Sequence, residues 1–392
     1  MTRTRAEIAA AAADALERFA RDGAADAGAL VGFDGFIDTI CRVVDTRRTL
    51  AADDFEPIPD IPAFADRIGR AAGKSSNIEI AAGEQRFGGN GPLMAGALGQ
   101  LGARVTYVGC VGREDDARAL HPIYEPFAAR CAAVHPVAPP AQTDALEFGD
   151  GKIMLGKPAN VQRPSWDVLR ARFGLDGIRE MVGRSRLVGI VNWVMMGGVE
   201  GIWRGLIDDI LPAFERDASQ RRVFLDLCDP AKRTDEDVTR ALGLIRELDA
   251  LCPVTLGLNL SESERIARVC GAAPFDGSEG GSMGDAVRRT AESIRATLGI
   301  ECVVVHPRQG AAAADAAGAS AWFDGPFTAN PKLSTGAGDH FNGGFAFAQL
   351  GGLGLEESLA IACAVSGSYV REAESPTADR LLSFLRDLPA PA

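Results

Sequence analysis

The sequence predicts an α/β fold with a mainly parallel central sheet covered by helices on both faces and a small β-sheet standing apart as a lid. Three observations carry that prediction. Short β-type runs alternate with helical patterns along most of the chain. The β-type runs are apolar throughout, as strands buried on both faces must be. Two regions break the alternation with short strands that have no helix between them.

The elements follow in order. An Ala-rich stretch, 4–20, is interrupted by Arg5, Glu7, Asp14, Glu17 and Arg18, so 1–28 reads as an amphipathic helical extension and not as a signal peptide. Strands are predicted at 29–33, 105–109, 186–192, 222–227, 252–259 and 301–306. Helical patterns fall at 92–101, 201–216, 235–248, 262–270 and 284–298. This alternation is that of a parallel sheet with helical crossovers, in which ligands bind beyond the carboxyl ends of the strands. The exceptions are 36–47 with 76–82, and 143–155, where Gly149-Asp150-Gly151 signals a hairpin. They are expected to form the lid, inserted in a single domain that spans 1–392. The alanine-rich 311–321 reads as a small-residue strand and turn, since Trp322 and Phe323 follow.

Composition excludes several functions. The formal charge of −12 argues against a nucleic-acid surface or an acidic membrane as partner, though not against a small anionic ligand in a local pocket. No segment reaches the ~18 continuous apolar residues of a membrane span. The eight cysteines form no CxxC pair and no zinc spacing, which reads as buried thiols in a reducing, cytoplasmic setting.

Phosphate chemistry rests on one motif and not on its decoy. Gly69-Arg70-Ala71-Ala72-Gly73-Lys74-Ser75 has three residues between glycines where a P-loop has four, and it follows a helix instead of a strand. It reads as a helix C-terminus capped by Gly73. Thr335-Gly336-Ala337-Gly338-Asp339 precedes a helical run at 341–350, so its glycines sit at a helix N-terminus. Free amide N–H groups and the helix dipole favour an anion there, and glycine lets a phosphoryl group approach. Asp339 beside them can take the proton of an attacking hydroxyl, so the two features suit opposite ends of one in-line transfer. A glycine-rich turn with Asp339 as an N-cap is the alternative.

Together with Gly88-Gly89-Asn90-Gly91-Pro92, Asn259-x-x-Glu262 and the strand-end Asp38, this stretch resembles the PfkB/ribokinase family of sugar and nucleoside kinases, over about 30–376. The family signature DTTGAGD is matched in its last five positions, and Phe341-Asn342-Gly343 continues the match. The resemblance implies a ribokinase-like fold, ATP and Mg²⁺ as cofactors, Asp339 as catalytic base and an anion hole from Gly336, Ala337 and Gly338. It implies nucleotide contacts at Asn259, His306, Arg308, Gly310, Thr335, Gly336 and Gly338, and a role for Glu262 toward Mg²⁺ through water. Asn259 and Glu262 also have the spacing of an ordinary capping box. Arg308 can reach a phosphate or lie solvated. Gly88, Gly89 and Asn90 fall on the family's acceptor-binding glycine motif; the alternative is a plain loop-to-helix turn with Pro92 at the first helical position. Asp38 is favoured over Asp34 for binding acceptor hydroxyls. His340 reads as a supporting or exposed histidine and not as a second acid/base group.

One departure stands out. Leu333 replaces the first aspartate of the signature, which in the family supports a monovalent-cation site, so potassium dependence is expected to be weak. The resulting reading is an ATP-dependent kinase acting on a hydroxyl of a small, neutral carbohydrate or related alcohol. The alternatives are a nucleoside kinase, a phosphosugar kinase and a non-catalytic sugar-binding protein; the resemblance also implies a homodimer through the lid.

Overall fold

The computed structural model describes residues 3–217, 219, 221–277 and 281–392; the first two residues of the expected extension lie outside them. The strands are β1 (Gly28–Phe33), β2 (Phe36–Arg47), β3 (Phe55–Pro57), β4 (Ile80–Gly88), β5 (Arg104–Gly109), β6 (Ala133–Pro136) and β7 (Ala141–Phe148). They continue as β8 (Gly151–Lys157), β9 (Leu187–Val191), β10 (Arg222–Asp226), β11 (Val254–Leu258), β12 (Cys302–Val305), β13 (Gly310–Asp315) and β14 (Ser320–Asp324). The helices are α1 (Arg5–Asp22), α2 (Ile61–Gly69), α3 (Asn90–Gln100), α4 (Glu125–Ala128), α5 (Trp166–Gly183) and α6 (Val199–Gly205). After them come α7 (Asp235–Leu251), α8 (Leu260–Cys270), α9 (Met283–Leu298), α10 (Ala337–Leu350), α11 (Leu355–Glu372) and α12 (Ala378–Arg386).

Among the described residues, nine strands form the large sheet in the order β14-β13-β12-β11-β10-β9-β1-β5-β6. From β12 to β6 every pair is parallel, and β13 and β14 add an antiparallel edge. Strand alternation divides the core into two layers. Val303 and Val305 face the layer holding Val182 of α5, Ile202 of α6, Ile245 of α7 and Ile266 of α8. Cys302 and Val304 face the other layer, with Leu16 of α1, Leu98 of α3, Phe345 of α10 and Ile361 of α11. The N-terminal extension is therefore part of the core, and Phe19 at its end meets Phe347 at 5.0 Å.

The lid is a second sheet in the order β3-β2-β7-β8, with β4 also on β2. It has its own small core of Cys41, Val43, Ile58, Phe64 and Leu146. It reaches over the carboxyl end of β9: a Cβ added at Gly156 would lie 3.7 Å from Met195 Cε. The 36–47 strand is found as predicted, whereas the strand expected at 76–82 is displaced to 80–88. Most of β4 is exposed, so no apolar alternation marks its ends; its register comes from pairing with β2, Phe36 opposite Gly88 and Val43 opposite Ile80.

Three helix boundaries also differ from expectation. The 201–216 pattern holds as α6 only to Gly205, then passes through a wide turn at Leu206–Ile210 and a tight one at Leu211–Ala213. Pro212 has no N–H to continue the ladder. α2 ends at Gly69, and Gly73 (φ 75°) closes the following turn instead of capping the helix. α3 starts at Asn90, two residues before Pro92.

A buried carboxylate, Asp249 of α7, holds the amino ends of two site-bearing strands. Its Oδ1 accepts from Val254 N (2.9 Å) and Glu301 N (2.7 Å), and its Oδ2 from Arg216 Nη2 (2.9 Å). Asp249→Ala would leave two backbone donors and a guanidinium without this partner, so a loss of about 2–4 kcal/mol is expected in urea unfolding. A loss under about 0.5 kcal/mol, within the range of ordinary surface changes, would show that this carboxylate does not organise the strands.

Candidate active site

Asp34, just past β1, is fully buried. Its Oδ1 accepts from Gly91 N (2.8 Å), and its Oδ2 from Asn90 N (3.0 Å) and Asn192 Nδ2 (2.8 Å). The carboxylate thus sits on the N-terminus of α3, where the dipole favours it. Burial still pushes its pKa up to about 6, against the pull of those hydrogen bonds. Asp34 therefore shapes the Gly88-Gly89-Asn90 turn, and its oxygens already have three donors. Asp38 on β2 is only partly buried, and its Oδ2 would lie 2.5 Å from a Cβ added at Gly88. Burial raises Asp38, while Thr143 on the adjacent β7 lowers it by a hydrogen bond. Of the two aspartates weighed for the acceptor, Asp38 is the one with an open side.

The turn set by Asp34 delivers Asn90 to Asp339: Asn90 Nδ2 donates to Asp339 Oδ1 at 2.8 Å. Asp339 lies in the first turn of α10, whose N-cap Gly336 adopts φ 86° with no side-chain cap. The N–H groups of Gly336, Gly338 and Asp339 find no backbone acceptor among the described residues, while Ala337 N closes a turn on Ser334 O (3.2 Å). The free donors are thus the two glycines and Asp339 itself. The Asp339 carboxyl is raised well above the usual range, first by burial and then by Asp226, with Asn90 opposing.

Asn259 and Glu262 form a reciprocal capping box at the start of α8: Glu262 N donates to Asn259 Oδ1 (2.9 Å) and Asn259 N to Glu262 Oε2 (2.8 Å). The cap does not account for the burial of Glu262, which with the charge of Asp226 pushes its pKa up to about 8.

Asp226 and two asparagines complete the site and were not singled out from the sequence. Asp226, at the carboxyl end of β10, accepts from Asn342 Nδ2 (2.5 Å) and Cys228 N (2.6 Å), and burial raises it. Asn192 is left-handed (φ 66°); its N–H donates to Asp226 O (2.9 Å) and its amide to Asp34. The Oδ1 atoms of Asn192 and Asn342 are buried without a partner. The only signal for Asp226 was its place at a strand end, where ligands of such sheets bind.

These residues suit a divalent cation. The charge of Asp226 raises the pKa of both Glu262 and Asp339, that of Glu262 raises Asp339 as well, and among the described residues none of the three is paired with Lys or Arg. No group of three His, Cys, Asp or Glu ligands is gathered tightly enough to hold a bare ion among the described residues. That arrangement fits Mg²⁺, which keeps several waters and takes few direct protein ligands.

A cavity of about 400 Å³ opens from the head of α10 and is lined by Asn259, His306, Arg308, Gly310, Ala337 and Gly338, among others. Thr335 and Gly336, also expected at the nucleotide, are not among the residues that line it. Arg308 is the one Lys or Arg among the described lining residues, and its guanidinium lies 5.8 Å from the Phe327 ring centre. The His306 ring packs at a tilt against Phe341 (4.5 Å); burial lowers it to about 4, and its Nε2 has no partner. His340 is buried with both ring nitrogens engaged, by Gly336 O (2.8 Å) and Ser375 Oγ (2.7 Å), so it offers no second acid/base group. No helix among the described residues is long and apolar enough to cross a membrane, and the eight cysteines are free thiols.

Known proteins resemble this chain in sequence and fold. The sequence profile described as prokaryotic ketohexokinase matches residues 4–388. A ketohexokinase of Haloferax volcanii is 32% identical over 359 residues, covering 91% of this chain and 90% of that protein. A ribokinase of Arabidopsis thaliana, solved with ribose and ATP, superposes with TM-score 0.58 at 19% identity, over 92% of this chain and 99% of its own. A nucleoside kinase of Methanocaldococcus jannaschii superposes with TM-score 0.56 at 14% identity, over 93% and 100%. The two structures establish the ribokinase fold and do not distinguish acceptors.

The raised carboxyls make stability depend on pH. Asp34 (about 6), Glu262 (about 8) and Asp339 hold protons in the folded chain that the unfolded chain releases near pH 4. Their contribution is complete below about pH 4 and is lost as pH rises through about 6 and about 8. Urea unfolding of the metal-free protein should therefore give lower stability at about pH 8.5 than at about pH 6, by on the order of a few kcal/mol, and Glu262→Gln should flatten the upper part of that fall. Equal or greater stability at the higher pH would contradict the buried, unpaired state of these groups.

Proposed function

Because the chain belongs to the prokaryotic ketohexokinase family, we propose that it transfers the γ-phosphoryl group of ATP to a primary hydroxyl of a ketohexose. One observation carries the reading. The buried carboxyl of Asp339 follows directly on the free N–H groups at the head of α10, at the mouth of the cavity. The acceptor oxygen forms a bond to Pγ as the bond from Pγ to the β-phosphate bridging oxygen breaks, and ADP leaves. Asp339 takes the acceptor's proton; a pKa above the ordinary carboxylate range makes it the stronger base once it is ionised. Asn90 Nδ2 fixes its Oδ1 side. The N–H groups of Gly336, Gly338 and Asp339 face the charge that grows on the transferring group. Asp226 and Glu262 would hold Mg²⁺ through water, and the ion would neutralise phosphate charge.

The acceptor side favours a neutral sugar. Asp38 and Asn90 offer acceptor and donor atoms for hydroxyls. Lys157 is paired with Asp144 (2.8 Å) and Lys152 with Glu147 (3.4 Å), so the cations of the lid are partly balanced by its own carboxylates. Phe33 and Phe36 are buried in the core and Phe87, partly buried, packs on Tyr124 (5.7 Å), so no stacked aromatic pair is set out for a nucleobase among them. Exposed Ile80 on β4 and Met154 and Leu155 on β8 leave apolar side chains on the lid, and a second copy would pair there.

An ADP-release assay across ketohexoses, ribose, nucleosides and fructose 6-phosphate tests the reading. Ketohexoses should give the highest kcat/KM, and Asp339→Asn should lower turnover about 10²–10⁴-fold. A nucleoside preference would move the acceptor class, and near-normal turnover by Asp339→Asn would remove Asp339 as the base.

Potassium should activate weakly. The side chain of Leu333 has no oxygen to offer an ion, and its N–H is turned to Val370 O (3.4 Å). The measurement is initial rate against KCl at constant ionic strength, so that screening is not read as a site. A steep, saturable potassium requirement would show that other oxygens complete a site.

A further inference from the structure

Behind the free N–H groups of α10, three successive carbonyl oxygens are each tied to a side chain. Tyr369 Oη donates to Thr335 O (2.9 Å), and Ser366 Oγ donates to Ala337 O (2.9 Å). Between them, His340 Nδ1 lies 2.8 Å from Gly336 O. A carbonyl only accepts, so Nδ1 carries the hydrogen, and Nε2 then accepts from Ser375 Oγ at 2.7 Å. The rings of His340 and Tyr369 stack at 3.5 Å and 13°. We propose that Tyr369, His340 and Ser366 are positioning residues that aim the N–H groups of this loop at the transferring phosphoryl group. The proposal rests on the reading of the loop as the phosphoryl site.

The physical reason is the planarity of the peptide. Across a trans peptide the C=O and the next N–H point in opposite directions, so holding one fixes the other. Tying Thr335 O to Tyr369 turns the N–H of Gly336 away from α11. Tying Ala337 O to Ser366 does the same for Gly338. The middle peptide, held by His340, keeps Ala337 N on Ser334 O (3.2 Å) and so stabilises the turn. Without these ties a glycine-rich segment can rotate its peptide planes at little cost. A flipped plane would present a carbonyl oxygen, not a donor, to an incoming phosphate.

The brace leaves little slack. A Cβ added at Gly336 would lie 2.9 Å from Leu93 Cδ1 and 3.1 Å from Tyr369 Oη. Arg371, two residues beyond Tyr369, donates to Pro326 O (2.8 Å) and Phe327 O (2.7 Å), and both residues line the same cavity. One helix, α11, therefore holds both the donor loop and the facing wall.

Kinetics separated from nucleotide binding test this. Tyr369→Phe and Ser366→Ala each delete one hydrogen bond and keep the side-chain volume close to native; His340→Ala deletes the third. Each is expected to lower kcat about 10-fold, a fraction of the 10²–10³ lost when an oxyanion donor is removed outright. Affinity for ADP with aluminium fluoride, a mimic of the transferring group, should fall by the same factor, while affinity for ADP alone changes less than about 3-fold. His340→Asn, whose amide N–H can reach Gly336 O, should recover most of the loss. Unchanged kcat in the folded variants overturns the proposal, as does equal weakening of ADP and its fluoride complex. If His340→Ala does not fold, the Tyr369 and Ser366 variants decide. Gly336→Ala tests the reading beneath it. Lost turnover there with intact turnover in the side-chain variants sinks the brace alone, and intact turnover in Gly336→Ala sinks the phosphoryl site itself.

Discussion

The site depends on a carboxylate that does no chemistry. Asp34 is buried at the end of β1 and must find donors, because an unpaired buried charge is costly. It takes them from the first amides of α3 and from Asn192 after β9. That choice joins two neighbouring strands to one helix. Asn90, held through its backbone, then has its side-chain amide free for Asp339. Asn192 is drawn into a left-handed conformation and passes the connection to Asp226 through its N–H. Loosening Asp34 would misplace the acceptor turn, the base and the acidic strand end together.

A chain of formal charge −12 is an unpromising host for a polyphosphate, and the site gathers still more carboxylates. The conflict is resolved by dipoles and geometry more than by cations. Arg308 is the one cationic side chain among the described cavity residues. The anion is met instead by amide N–H groups at the head of α10, where charge is partial, fixed in direction and already desolvated. The carboxylates lie on the other side, where a metal ion would balance them. Holding opposite signs a few ångströms apart without direct neutralisation requires rigid backbone, which fits the bracing of the donor loop from α11 and the lack of room for a side chain at Gly336.

Local features were legible in the sequence, and tertiary ones were not. The strand-loop-helix context of Thr335 to Asp339, the capping box of Asn259 and Glu262 and the whole of β2 could be read because each is written in neighbouring residues. The bounds of β4 could not, since its side chains are mostly exposed and only pairing with β2 defines them. The difference between Asp34 and Asp38 was also hidden. They lie four residues apart, Asp34 just past β1 and Asp38 within β2, and only burial against α3 and β9 gives one of them three donors. Asp226, Asn192 and Asn342 meet from distant parts of the chain, so no local spacing announces them. His340 was rightly read as supporting, but its partner Ser375 lies 35 residues away.

The choice of acceptor is therefore made in a different part of the molecule from the choice of reaction. In the proposed mechanism the braced loop, Asp339 and the acidic strand ends would treat any primary hydroxyl alike once it is in line. What the hydroxyl is attached to is decided by β2, the Gly88 turn and the lid. There Phe33 and Phe36 are buried, and Asp38 and Asn90 offer hydrogen-bonding groups. Such groups discriminate by counting hydroxyls: a sugar lacking one leaves a buried polar atom unpaired, which costs about 1–3 kcal/mol. The fold alone, shared with a ribokinase and a nucleoside kinase, cannot make that distinction. A handful of side chains at the lid interface can, without disturbing the phosphoryl-transfer machinery beneath it.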